Sequence, residues 1–287
     1  MRLEISTVML QWAAGGLAFL WVTTRRREVG LGYGWLLRGV YAVLAGLALA
    51  ASIAGGGTGT ADTVFRVAAG ATVAATMVTL AVSVVRRRAG VAGLRERKEA
   101  SHERVAAMIG TGATTEPAPL VSREFPPVLD LVAPLCGVIG IAAAATIDGG
   151  PYVLTLFRLL AGAALLGAST DAMLLGHWYL VQPGLGRDPI RELVWVLAVA
   201  WLLDVVAYLI PTGVVSVFTG SIDDGYGGLL AWIWLASAVT TIVLAGVTWA
   251  ALKEKSYSAV MAATGLLYLA ILMAFGTDLV ARALLAG

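Results

Sequence analysis

The chain has 287 residues, of which 59% are hydrophobic and only 13% are charged, with a formal net charge of +2. Soluble domains carry about 45–50% apolar and about 25% charged residues, so this composition excludes an ordinary soluble fold and favours a protein solvated by lipid. One cysteine and two histidines leave few ligands for a metal or a haem. No Walker A motif, Rossmann glycine fingerprint or nucleophile elbow occurs in its required strand–helix context. We therefore expect no metal, no cofactor held within the chain, no nucleic-acid partner and no catalytic activity of its own.

Eight apolar runs are long enough to cross about 30 Å of hydrocarbon as helices. They predict an all-α, polytopic membrane bundle of about eight transmembrane helices. In chain order the runs cover residues 6–24, 35–55, 63–85, 128–147, 152–179, 192–215, 228–251 and 257–285. Arginines at 25–27 follow the first run at once, so we interpret it as a retained span rather than a cleaved signal peptide.

The basic residues predict the orientation of these spans. Sixteen of the twenty lysines and arginines fall in or beside the loops that follow spans 1, 3, 5 and 7. The other four are Arg2, Arg66, Arg158 and Arg282. Because basic loops stay on the cytoplasmic side, this bias predicts that both termini are non-cytoplasmic. We expect a multi-pass protein of a bacterial plasma membrane, with the lipid bilayer as its first partner.

The longest loop, residues 86–127, divides the chain into spans 1–3 within residues 1–85 and spans 4–8 within residues 128–287. Arg95 and Glu99 stand at i,i+4, which favours a short charged helix, and residues 111–119 are typical of a flexible linker. We interpret the loop as a solvated basic cytoplasmic connector near anionic headgroups. The alternative is a docking segment for a soluble partner.

Two aspartates inside the spans are candidates for a proton or polar-ligand site. An ionisable side chain within the membrane costs about 2.5–3.5 kcal/mol on insertion scales, so each one requires an explanation. Asp204 is predicted near the middle of span 6, with no arginine or lysine at its depth. Asp171 is predicted in the cytoplasmic half of span 5.

The remaining charges fall into two predicted layers. Arg66, Arg158 and Asp278 share the outer layer, so we expect Asp278 to lie close to Arg158 or Arg66. Arg38 and Asp130 share the inner layer and could meet there. We interpret these residues as structural ion pairs or as charged ends that reach the interface.

Span 5 ends in the sequence His177-Trp178-Tyr179. Tryptophan and tyrosine at a membrane interface are typical of the aromatic belt. The sharper hypothesis is an interfacial quinone or proton-entry site, because a quinone headgroup needs a hydrogen-bond donor. Met173 shares a helical face with His177, but no second histidine accompanies them as a metal or haem ligand.

Three functions remain. The first is a non-catalytic membrane subunit of a larger complex, for example a respiratory or redox assembly that works beside a quinone, which fits the missing cofactor ligands. The second is a proton-coupled secondary transporter of a small solute or ion, with Asp204 and Asp171 as the coupling groups. The third, an intramembrane enzyme, has the least support because no paired nucleophile and base is present.

Overall fold

A computed structural model describes residues 4–87, 91, 95, 99–100, 124–148, 150–182, 184–210, 214–219, 226–254 and 256–286. Within these ranges the chain is helical, without strands, and has eight helices long and apolar enough to span a membrane. They are α1 (Ile5–Thr24), α2 (Leu31–Ala54), α3 (Thr60–Val85), α4 (Val132–Ile147, of spanning length only together with the 3-10 helix before it), α5 (Tyr152–Val181), α6 (Asp188–Leu209), α7 (Leu229–Ala251) and α8 (Tyr257–Ala286). A 3-10 helix, Pro127–Leu131, leads into α4, and one helical turn, Val215–Phe218, separates α6 from α7. The prediction of an all-helical chain with eight helices of spanning length is confirmed.

The helix α6 differs from its predicted bounds at both ends. It begins at Asp188, with Pro189 in its first turn, where a proline is tolerated because the first amides have no intrahelical acceptor. It ends at Leu209 rather than at 215, and Ile210 has extended backbone with φ −97° and ψ 139°. A residue before a proline is pushed out of the helical region, and Pro211 follows. Asp204 therefore lies within about two turns of the end of α6, not near its middle.

The eight helices form two rings of four consecutive helices. In the first ring α1 contacts α2 and α4, and α3 closes the ring between them. In the second ring α5 contacts α6 and α8, and α7 closes that ring. The two rings join mainly across α1 and α5, which are the most buried helices of the chain. The contacts thus divide the helices four and four, although the long connector divides the sequence three and five.

Glycines set the distance between α1 and α5. A Cβ atom placed on Gly15 would overlap the carbonyl of Ala163, and one on Gly167 would overlap the backbone of Gly15. Small residues let helix backbones approach closely, which increases the van der Waals contact between the two helices. This contact fixes the two rings against each other.

One end of the bundle, called here the basic end, holds the C-termini of α1, α3, α5 and α7. Arg25 and Arg26 both pair there with Glu192 near the start of α6, in a contact between the two rings. Arg191 donates a hydrogen bond to the carbonyl of Leu252 at the end of α7, with an N–O distance of 2.7 Å. Most of the 86–127 connector, including the predicted linker 111–119, lies outside the described residues.

Candidate functional site

Four buried side chains of α6 and α8 form what we call the acid–arginine cluster: Asp204, Tyr208, Asp278 and Arg282. Arg282 binds the Asp278 carboxylate with two hydrogen bonds, Nε to Oδ2 at 2.9 Å and Nη2 to Oδ1 at 3.0 Å. The Tyr208 hydroxyl donates a third hydrogen bond to Oδ1 of Asp278, also at 3.0 Å. The Asp278 carboxylate is therefore well satisfied.

Asp204 is the exception within this cluster. Its side chain is 0% exposed, and neither carboxylate oxygen has a hydrogen-bond partner among the described residues. It interacts electrostatically with both Asp278 and Arg282. Nη1 of Arg282 also lacks a partner in the described part of the chain. The cluster thus contains two carboxyl groups and one guanidinium, and that guanidinium donates hydrogen bonds to Asp278 and not to Asp204.

The neighbouring helices leave room for the cluster and add a further polar group. A Cβ atom on Gly162 of α5 would overlap Oδ1 of Asp278 and lie 2.8 Å from Nη2 of Arg282, so a larger residue there would displace this ion pair. Trp234 of α7 is buried in the same apolar cluster as Tyr208. Its indole N–H has no acceptor among the residues described.

The predicted partners of Asp278 are wrong, because Arg282 and not Arg158 or Arg66 binds its carboxylate. Arg158 instead donates to the carbonyls of Ala207, at 3.0 Å, and Ile210, at 2.6 Å. These are carbonyls at the C-terminal end of α6, which lack intrahelical donors and carry the negative end of the helix dipole. Asp278 and Arg282 stand at i,i+4, the usual spacing of a helical ion pair, and that signal would have identified the true partner from the sequence.

Arg66 lies elsewhere, between α3 and the end of α2. Its guanidinium donates to the carbonyl oxygens of Ser52, at 2.8 Å, and Gly57, at 2.7 Å. Nε also donates to the Ser52 hydroxyl at 3.2 Å. Arg66 therefore stabilises the loop between α2 and α3 and takes no part in an outer ion-pair layer with Asp278.

Arg38 and Asp130, which the sequence puts at one depth, lie in direct contact at the basic end. Nε and Nη2 of Arg38 donate to the two carboxylate oxygens of Asp130 at 2.9 and 2.8 Å. The Thr24 hydroxyl adds a hydrogen bond to Oδ2 at 2.9 Å, and the Phe125 ring lies 4.6 Å from the guanidinium carbon. Both side chains are 2% exposed. Through Asp130 the 3-10 helix before α4 is therefore hydrogen-bonded to Thr24 of α1 and to Arg38 of α2.

Asp171, the second predicted proton-site residue, is not part of the acid–arginine cluster. It faces α2, where the Tyr41 hydroxyl donates to its Oδ1. Its Oδ2 has no partner among the described residues, and the side chain is fully buried. The candidate pair Asp204 and Asp171 is therefore two separate positions rather than one site.

The three residues of the predicted interfacial site point in different directions, so they do not form one binding site. His177 is exposed on the outside of the bundle, where its Nδ1 lies 3.3 Å from the Tyr268 hydroxyl of α8. Trp178 packs against Tyr33. Tyr179 is buried and donates a hydrogen bond to the carbonyl of Gly186. Successive residues of a helix are about 100° apart, which separates the three side chains.

The described residues contain no group of three or more histidine, cysteine, aspartate or glutamate side chains that could hold a metal ion. The class that the fold defines is a helical bundle of membrane-spanning length with buried carboxyl groups. Searches of family models, curated proteins and solved structures find no significant match to this chain. The buried carboxyl groups are therefore the features of this fold that point to a function.

Proposed function

We propose that the chain is a proton-coupled secondary transporter of a small solute or ion, and that Asp204 binds the coupling proton. In this proposal the eight helices cross a bacterial plasma membrane, with the basic end in the cytoplasm and both termini on the other side. The distribution of basic residues supports that orientation. The single observation that carries the function is the fully buried Asp204 carboxyl group, whose two oxygens have no hydrogen-bond partner among the described residues.

Burying an ionised carboxylate without a partner costs several kcal/mol at least, so the proton-bound form of Asp204 is favoured while Arg282 remains on Asp278. Asp204 can bind a proton without a cavity beside it, because the proton bonds directly to a carboxylate oxygen. When Asp204 releases its proton, two carboxylates compete for Arg282, whose Nη1 is without a partner in the described structure. Since Asp204 lies on α6 and the other two residues lie on α8, proton release changes the attraction between the two helices. That dependence of helix packing on protonation is what coupling requires.

The test is a pH step applied to proteoliposomes adsorbed on a solid-supported membrane, with the charge displacement recorded. The wild-type chain should give a transient current even without added solute, because protonation of a buried group moves charge. Asp204→Asn should remove the part of this current that comes from Asp204 and so reduce it clearly. Asp188→Asn is the matched control, since it makes the same substitution at the exposed first turn of the same helix, and it should leave the current unchanged. An undiminished current in Asp204→Asn would overturn the proposal.

A second candidate function is a non-catalytic subunit of a larger membrane complex that works beside a quinone. The observation that favours it is the contact between His177 and Tyr268, two polar side chains exposed on the apolar outer face of α5 and α8. Ionisable residues within membrane spans are rare and are commonly functional. Native mass measurement after gentle detergent extraction should then reveal a stoichiometric partner, and His177→Leu should lower quinone-dependent turnover of that complex. A chain that always purifies alone, or unchanged turnover, would reject this candidate.

A further inference from the structure

The second buried carboxyl group, Asp171, lies in a different environment from Asp204. It stands nine positions after Gly162 on α5, which lies against the acid–arginine cluster, so the two levels differ by about 14 Å along the helix. Val181 at the basic end stands ten positions after Asp171, which is about 15 Å. Asp171 therefore lies between the acid–arginine cluster and the basic end of the bundle.

One carboxylate oxygen of Asp171 accepts a hydrogen bond, and the other has no hydrogen-bond partner in the described structure. The Tyr41 hydroxyl donates to Oδ1, whereas Oδ2 is buried without a partner among the described residues. Gly16 of α1 makes this possible, because a Cβ atom there would overlap the phenol ring of Tyr41. Tyr33, two turns earlier on α2, donates instead to the backbone carbonyl of Asp171 at 3.3 Å. Three helices thus shape a site around one carboxyl group.

The titratable groups that face Asp171 are phenols. Tyr41 and Tyr33 approach from α2, and Tyr179 of α5 lies beyond Tyr33. From α1 the Thr23 hydroxyl bonds with Tyr33. Within the described ranges no arginine, lysine, histidine or second carboxylate pairs with Asp171, in contrast to Asp278 and Asp130.

We propose that Asp171 and Tyr41 form a second proton-binding site, separate from Asp204. A proton taken up at Oδ2 forms an O–H bond there, and the charge of the carboxyl group changes from −1 to zero. Tyr41 keeps its own proton and donates to Oδ1 in both states. The existence of this site does not depend on the proposed function, whereas its role as a second coupling position does rest on it. In that role the chain carries two proton sites in series between its two ends.

Infrared difference spectroscopy of the full chain in proteoliposomes during a pH titration tests this inference. The wild-type chain should show the carbonyl bands of two carboxyl groups that are still protonated near neutral pH. Asp171→Asn should remove one band, and Asp204→Asn should remove the other. Asp171→Asn with both bands retained would overturn the inference. Loss of the Asp171 band alone, with no band assigned to Asp204, would support the second site and count against the proposed function.

Substitution of the phenols provides a test that preserves the carboxyl group. Tyr41→Phe should shift the Asp171 band to higher frequency, because Oδ1 loses its hydrogen bond. Tyr33→Phe is the matched control, since its hydroxyl bonds to the backbone and not to the carboxyl group; it should leave the band in place. An unchanged band in Tyr41→Phe, or an equal shift in both variants, would contradict the proposed pair.

Discussion

Two buried arginine–carboxylate groups lie in different rings of this bundle, and they differ in how completely their polar atoms are paired. In the first ring one arginine, Arg38, meets one carboxylate, Asp130, and both carboxylate oxygens accept hydrogen bonds. In the second ring one arginine, Arg282, faces two carboxyl groups, and only Asp278 is hydrogen-bonded. Both groups are almost fully buried, so burial alone does not distinguish them.

This comparison indicates that a structural ion pair differs from a site that can change protonation in its balance of charges and hydrogen bonds. The degree of burial does not distinguish the two. A complete pair resists change because removing one partner leaves an uncompensated buried charge. A carboxyl group outside such a pair can gain or lose a proton without first breaking an ion pair. The following substitutions test that distinction, from the largest expected effect on stability to the smallest.

Arg38→Met should cause the largest loss, about 3–5 kcal/mol of unfolding free energy, because Asp130 is left buried and unpaired. The double variant Arg38→Met/Asp130→Leu should recover most of that loss, since an apolar pair of similar volume often replaces a buried ion pair at little cost. Chemical unfolding in detergent micelles measures both values. If the single and the double variant lose the same stability, the pair is not the unit that we describe.

Gly162→Ala should destabilise the chain by about 1–3 kcal/mol, the usual range for overpacking. The new methyl group would overlap the Asp278 carboxylate, which cannot move without losing its hydrogen bonds to Arg282 and Tyr208. Gly39→Ala is the control within a helix, because nothing lies within 4 Å of a Cβ atom there. That control should be neutral or gain up to about 1 kcal/mol. Equal thermal unfolding temperatures for the two variants would count against the packing described.

Glu192→Gln should have the smallest effect, below about 1 kcal/mol, although it removes two ion pairs. Arg25 and Arg26 have side chains that are 38% and 37% exposed, so water and salt screen both contacts. Added salt should reduce the effect further. A loss as large as that of Arg38→Met, measured by the same unfolding assay, would show that these surface pairs hold the two rings together.

The sequence was sufficient to predict the eight helices, because each needs only a long apolar run. It was insufficient for the arrangement of the helices, because the rings close through contacts between residues far apart in the chain, such as Gly15 with Ala163. The predicted span 6 also ran past the end of the helix, since α6 ends at Leu209 and Asp204 lies nearer that end than the middle of the helix.

The candidate site was predictable in part. Asp204, Asp171 and Asp278 stand out as carboxylates within apolar runs, and the i,i+4 spacing of Asp278 and Arg282 was available in the sequence. The phenol of Tyr41 beside Asp171 was not, because it comes from another helix through space opened by Gly16. Neighbouring positions in the sequence likewise suggested one site at 177–179, whereas helical geometry separates those side chains.

The most direct test of the central claim is the pH-step current of Asp204→Asn, recorded beside the unfolding temperature of the same preparation. We expect a clearly reduced current and an unfolding temperature no lower than that of the wild-type chain, because asparagine removes a buried acid that has no hydrogen-bond partner in the described structure. An undiminished current, or a stability loss as large as that of Arg38→Met, would show that Asp204 is a structural group and not a proton-binding one.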